Sequence, residues 1–128
     1  MADGLSLDLT SRLLHAALSC TAAQQRLAAN NLANLETPGY VAHRASFQDR
    51  LQAALEAELE GRWVGALAGV RPRLSPAPDP PGPDGNNVNV EAEMVGLAEA
   101  TARYETLSRM LDRKLEMIGV AIGDGRQA

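Results

Sequence analysis

Little in this sequence can support covalent or metal chemistry. A single cysteine, Cys20, excludes an intramolecular disulfide and any site built from several thiolates. The two histidines, His15 and His43, stand in no His-x-x-x-His pattern, and no Cys-x-x-Cys is present, so no metal ligand set is offered. His15 and Cys20 are five residues apart, about 140° around a helix, and cannot meet as base and nucleophile on one helix. Gly82 and Gly85 lie among prolines with no Gly-Lys-Ser/Thr behind them, which removes a phosphate loop. No apolar run approaches the ~20 residues that cross a bilayer. A net charge of −4 leaves no basic stripe for nucleic acid. Neither a cofactor nor a small-molecule substrate is expected.

Aromatic residues are also scarce, being Tyr40, Phe47, Trp63 and Tyr104 alone. Alanine and leucine supply most of the 45% hydrophobic content, a composition suited to thin helical interfaces rather than a thick core. At 128 residues the chain is at most one domain. Leu13 to Cys20 loosely resembles a lipoprotein cleavage site. Asp3 and Asp8, however, stand where a signal is basic, and Arg12 and His15 break its apolar stretch. Export, if it occurs, is expected without a cleaved signal.

The spacing predicts a first helix from about Asp8 to Asn34. Steps of three and four residues run through Leu7, Ser11, Leu14, Leu18, Thr21, Gln25, Ala28, Leu32 and Leu35, a heptad-like seam with polar breaks. Pro38 stops it and Gly39 permits a tight turn. The same stepping over Val90, Met94, Leu97, Thr101, Tyr104, Ser108, Leu111, Leu115, Ile118 and Ile122 predicts a final helix of about 33 residues. Asn89 should cap it, and Gly123 with Gly125 should end it.

Between these lies a shorter amphipathic stretch, Ser46 to Glu60. Ser46 and Asp49 are placed like a capping box, and Phe47, Leu51, Leu55 and Leu59 share one side. Glu56, Glu58 and Glu60 read as a solvated face. Trp63 to Leu74 is short, extended or irregular. Pro72 through Gly85 holds six of the seven prolines and reads as an exposed, partly polyproline-like linker.

These elements give a mainly α fold: two long terminal helices pairing as an antiparallel, coiled-coil-like hairpin, a short third helix and an irregular proline-rich middle loop. Segments 1–38, 39–85 and 86–128 are the N-terminal axial helix with its turn, the middle segment, and the C-terminal axial helix with its tail. Two seams with so few large side chains bury little surface, which points to further burial against other subunits. Cys20 reads as a small packing residue, and His43 as a surface or interface histidine.

The most distinctive string is Ala28 to Tyr40, where Asn30, Asn31, Ala33 and Asn34 precede Thr37, Pro38, Gly39 and Tyr40. Asparagine amides bond nearby backbone, so this composition encodes a helix end and a fixed change of direction. The string resembles a signature of the bacterial flagellar rod and hook proteins, Asn-x-Ala-Asn, a spacer, then Thr-Pro-Gly-Tyr/Phe. Asp84 to Ile122 resembles the C-terminal segment of that family. There Asn86-Asn87-Val88, Glu91, Glu93, Leu97-Ala98-Glu99, Tyr104 and Arg113-Lys114-Leu115 are most similar to its proximal rod members.

The resemblance implies a torque-transmitting structural subunit of the periplasm-spanning rod, with no catalysis, exported through the flagellar type III apparatus. It implies as partners copies of itself, other rod proteins, the adaptor between membrane ring and rod, and the export gate. The assembly seam would be Leu14, Leu18, Ala28, Leu32 and Leu35 with Val90, Met94, Leu97, Tyr104, Leu111, Leu115, Ile118 and Ile122. Three alternatives stay open: a sister axial protein, which Val88-Asn89-Val90 resembles, a small helical lipoprotein anchored at Cys20, and, most remotely, an enzyme that depends on Cys20.

Overall fold

The computed structural model describes residues 2–127, with side chains over 9–123. The seam position Leu7 and the acidic pair Asp3 and Asp8 lie outside those side chains. The chain is mainly helical: α1 (Ala2–Ala33), β1 (His43–Ser46), α2 (Gln48–Leu59), a 3-10 turn (Ala66–Gly69), β2 (Arg73–Pro76) and α3 (Val90–Gln127). The two long helices pack together, and α2 and the 3-10 turn rest on α1.

Small side chains bring the long helices close, since Ala28 of α1 and Ala100 of α3 are buried and line one crevice. Two of the three polar breaks in the α1 seam find hydrogen-bond partners. Thr21, fully buried, donates to the Ala17 carbonyl at 2.7 Å. Gln25 donates across the interface to Thr101 Oγ1 at 3.1 Å. Ser11 Oγ is buried with no partner among the described residues. Gln24 joins three elements, donating to Ala45 O of β1 at 2.8 Å and accepting from Arg103 of α3 at 3.1 Å.

A second, smaller core forms where α1 meets the middle segment. Cys20, Phe47 and Val70 are buried together, with Leu51 and Ala54 packed against them. The strands pair antiparallel, His43 opposite Pro76 and Ser46 opposite Arg73.

Several expectations require correction. The middle loop contains a two-stranded sheet rather than only irregular chain. Pro76 is tolerated because it ends a strand with a free edge, where a missing N–H interrupts no ladder. The proline-rich stretch is not uniformly exposed, since Ala77 is buried and its N–H donates to Ala42 O at 2.8 Å. Helix α2 starts at Gln48 with Phe47 as N-cap and no side-chain cap bond, so the Ser46/Asp49 capping box does not form; Ser46 is committed to β1. Its inner face turns towards Ala54 and Ala57, leaving Leu59 exposed. Helix α3 is 38 residues long and passes through Gly123 and Gly125. Glycine weakens a helix by roughly 1 kcal/mol without necessarily ending it, and both glycines lie within the helix here.

Candidate functional site

The asparagine-rich turn after α1 and the Asn86-Asn87 pair before α3 form one structure. A carboxamide offers two donors and an acceptor, so a single asparagine can serve several backbone groups. Asn87 does so from a buried position: its Oδ1 accepts the Ala42 N–H at 2.6 Å, and its Nδ2 donates to Asp79 O at 3.2 Å and Ala77 O at 3.4 Å. Its own N–H donates to Tyr40 O at 3.2 Å. Asn86, also buried, donates to Asn34 O and Thr37 O, both at 2.8 Å, adding a second bond to carbonyls that already accept the Thr37 and Tyr40 N–H groups of the turn.

The α1 side supplies the matching bonds. Asn31, fully buried, donates to His43 O at 2.8 Å while its Oδ1 accepts the Tyr40 hydroxyl at 2.9 Å. Asn30 donates to that hydroxyl at 3.2 Å. Asn34 donates to Asn30 O at 2.8 Å and accepts from Thr37 Oγ1 at 3.1 Å. The Gly39 N–H donates to Asp84 O at 2.9 Å. Gly39 and Gly85 have φ of 73° and 82°, and a Cβ on Gly85 would lie 3.3 Å from Gly39 Cα. This close crossing needs glycine at position 85. Ala33, Thr37, Pro38 and Gly39 are exposed around it. Asn89 then caps α3, its Oδ1 accepting the Ala92 N–H at 3.2 Å.

The expected seam residues divide. Leu14 and Ala28 are buried, and Leu18, Leu32, Leu97, Leu111 and Ile118 are half-buried. Leu35, Val90, Met94, Tyr104, Leu115 and Ile122 are exposed. Val95, Met110, Met117 and Val120 are exposed as well, so α3 presents apolar side chains beyond those that face α1.

Cys20 sits inside α1 against Phe47 and Val70. Burial raises its thiol pKa and nearby Arg71 partly opposes this, so the group is held protonated. That is a packing environment, and the reverse of an accessible lipid attachment point. His15 is exposed and His43 half-buried. Glu58 departs from the solvated face expected of it, because its side chain is largely buried. One oxygen accepts the Leu67 N–H at 2.9 Å and the other pairs with Arg12, tying the 3-10 turn to α1. Glu56 and Glu60 are exposed.

Sequence reasoning attached Asn86 and Asn87 to the site only by resemblance, and Gln24, Ala42 and Glu58 not at all. The partners named above lie 8 to 79 positions away, where no periodicity reaches. Two adjacent asparagines behind a glycine were the one local signal. The site's groups bond their own backbone and fix where the long helices start and stop. Among the described residues no His, Cys, Asp and Glu cluster could hold a metal, and no helix is long and apolar enough to cross a membrane.

Comparison with known proteins places these features. A family model described as "Flagella basal body rod protein" matches residues 14–40, the second half of α1 and its turn. The flagellar basal body rod protein FlgB of Yersinia ruckeri is 31% identical over 117 residues, covering 78% of this chain and 83% of that protein. FlgB of Escherichia coli K12 is 29% identical, covering 77% and 82%. FlgB of Bacillus subtilis 168 is 29% identical, covering 91% and 95%.

Proposed function

Because this chain belongs to the FlgB family of flagellar basal body rod proteins and is a structural subunit of the rod, we propose that it is a proximal element that transmits torque through packed helices and catalyses nothing. Segments 1–38 and 86–128 are its axial part, paired as an antiparallel hairpin, and 39–85 is a middle segment directed towards neighbours. The antiparallel pairing is supported by contact order. Gln25 bonds Thr101 and Gln24 bonds Arg103, while Leu18, earlier in α1, lines a crevice with Ser108 and Leu111, later in α3.

The observation that carries the reading is the division of α3. Leu97, Leu111 and Ile118 turn towards cover while Met94, Met110, Leu115, Met117 and Val120 stay open to solvent, a helical surface suited to burial against other subunits. Partners of this kind are copies of the chain, other rod proteins and the ring-to-rod adaptor. The export gate is met on the way out of the cytoplasm, without a cleaved signal. Deleting the gene should abolish swimming, and the tagged protein should restore it and co-purify with basal bodies. A motile deletion strain, or basal bodies lacking the protein, would overturn the reading.

A further inference from the structure

The middle segment carries a groove that the turn and the helical seam leave unused. Helix α2 and the 3-10 turn border an open hollow of about 510 Å³ whose floor is Ala54, Ala57, Ala66 and Val70, with Ala53 and Gly69 at its rim. Trp63, 65% exposed, forms one wall. Arg50 and Arg71 complete the lining, and no acidic residue takes part. Both arginines are anchored by backbone carbonyls: Arg50 donates to Arg71 O at 3.1 Å and Arg71 to Val70 O at 3.0 Å. Neither has a carboxylate partner among the described residues, whereas Arg12, Arg44 and Arg62 each have one. An exposed tryptophan between two such arginines over an alanine floor is the composition of an interface core.

The complementary surface lies elsewhere on the same chain. Early in α3, Glu91, Val95, Ala98 and Ala102 recur at intervals of four, three and four, so they share one side of the helix. That side is exposed, slim in the middle and flanked by Met94, Glu99 and Glu105, all exposed. Of the arginines beside it, Arg44 borders Glu91, Val95 and Glu99 but pairs with Asp79, and Arg103 is engaged with Gln24. The groove rests on α1 through α2 and the 3-10 turn, while α3 packs on α1 by its Leu97 and Ala100 side. One chain therefore does not close the basic hollow onto its own acidic ridge.

We propose that the Trp63 groove of one subunit receives the Glu91–Glu105 ridge of α3 from a second copy, with Trp63 covered by Val95 and Ala98 and the arginines facing glutamates. The two surfaces differ, so the contact is head-to-tail and repeats without closing on itself, as an open helical array requires. The proposal rests on the reading of the chain as a rod subunit.

The test uses the full chain in a strain lacking the native gene. Arg50→Glu and the pair Glu91→Arg/Glu99→Arg should each lower incorporation into purified basal bodies by about tenfold, the loss typical of one interface anchor. Combining all three should restore most of it. Every altered side chain is exposed, and thermal melts of the purified variants check that each one folds. A photo-crosslinking amino acid at position 63 should join two copies, with the adduct in residues 90–105. If swimming and basal-body recovery of the wild type hold, the rod reading stands. The groove proposal then falls if Arg50→Glu incorporates normally, if the combined variant is no better than its parts, or if position 63 crosslinks another protein or another segment.

Discussion

The turn at Asn30–Tyr40 and the later half of α3 are built on opposite principles. In the turn, fully buried Asn31 and nearly buried Asn86 and Asn87 bond backbone on both sides, so its polar groups are satisfied within one chain. From Met110 onwards α3 shows the reverse, with Met110, Leu115, Met117, Val120 and Ile122 each more than half exposed. The turn is finished in the monomer, whereas the long helix leaves its apolar side chains open to solvent.

The largest effect is expected where the two principles meet, at Leu111, half-buried in the α1 crevice. Leu111→Asp loses roughly 2 kcal/mol of apolar burial and adds the desolvation of a carboxylate. The variant should still be secreted but be absent from basal bodies, measured by blotting both fractions. Wild-type incorporation would remove Leu111 from the seam.

Next comes the turn itself. Asn87→Ala leaves the Ala42 N–H and the Ala77 and Asp79 carbonyls short of a partner, a loss of about 3 kcal/mol from the fold. Chemical denaturation of the monomer should read that loss. An unchanged midpoint would mean that water replaces the amide and that the turn is not the finished region described above.

These two positions also mark how far the sequence could be read. Leu111 was visible because apolar residues repeat along α3 at helical spacing, and the turn because Pro38 and Gly39 interrupt α1. The strands His43–Ser46 and Arg73–Pro76 were not visible: each is four residues long, too short for a clear alternation, and one ends in proline. Asn87 was legible as part of a resemblance but not as a staple, since Ala42 lies 45 positions away. Glu58 looked like its exposed neighbours Glu56 and Glu60, and only its pairing with Arg12 and Leu67 separates them. Local chemistry exposes helices and turns, whereas long-range polar contacts become legible only in the fold.

A smaller effect is expected at Cys20. Cys20→Ala should leave swimming near wild type, because the thiol only packs against Phe47 and Val70. Burial raises its pKa, so the folded chain keeps that proton to higher pH than the unfolded chain. The associated stability is present below the ordinary thiol range and is lost as pH rises through the raised value. Denaturation midpoints of the wild type should therefore fall over that alkaline window by more than those of Cys20→Ala. Equal pH profiles, or a non-motile Cys20→Ala strain with normal protein levels, would contradict a packing role.

The smallest effect belongs to Arg113, exposed two residues beyond Leu111. Arg113→Glu should change monomer stability by less than about 0.5 kcal/mol and should still assemble. Loss of incorporation confined to this variant would mean that the wrong face of α3 has been assigned to the seam.

Residue-resolved hydrogen exchange, on dilute monomer and on the assembled rod, tests the contrast most directly. The Gly39, Ala42 and Asn87 amides should be protected in both states, while amides from 112 to 122 should exchange readily in the monomer and become protected on assembly. Strong protection of 112 to 122 in a demonstrated monomer, or free exchange at Ala42 and Asn87, would contradict the account.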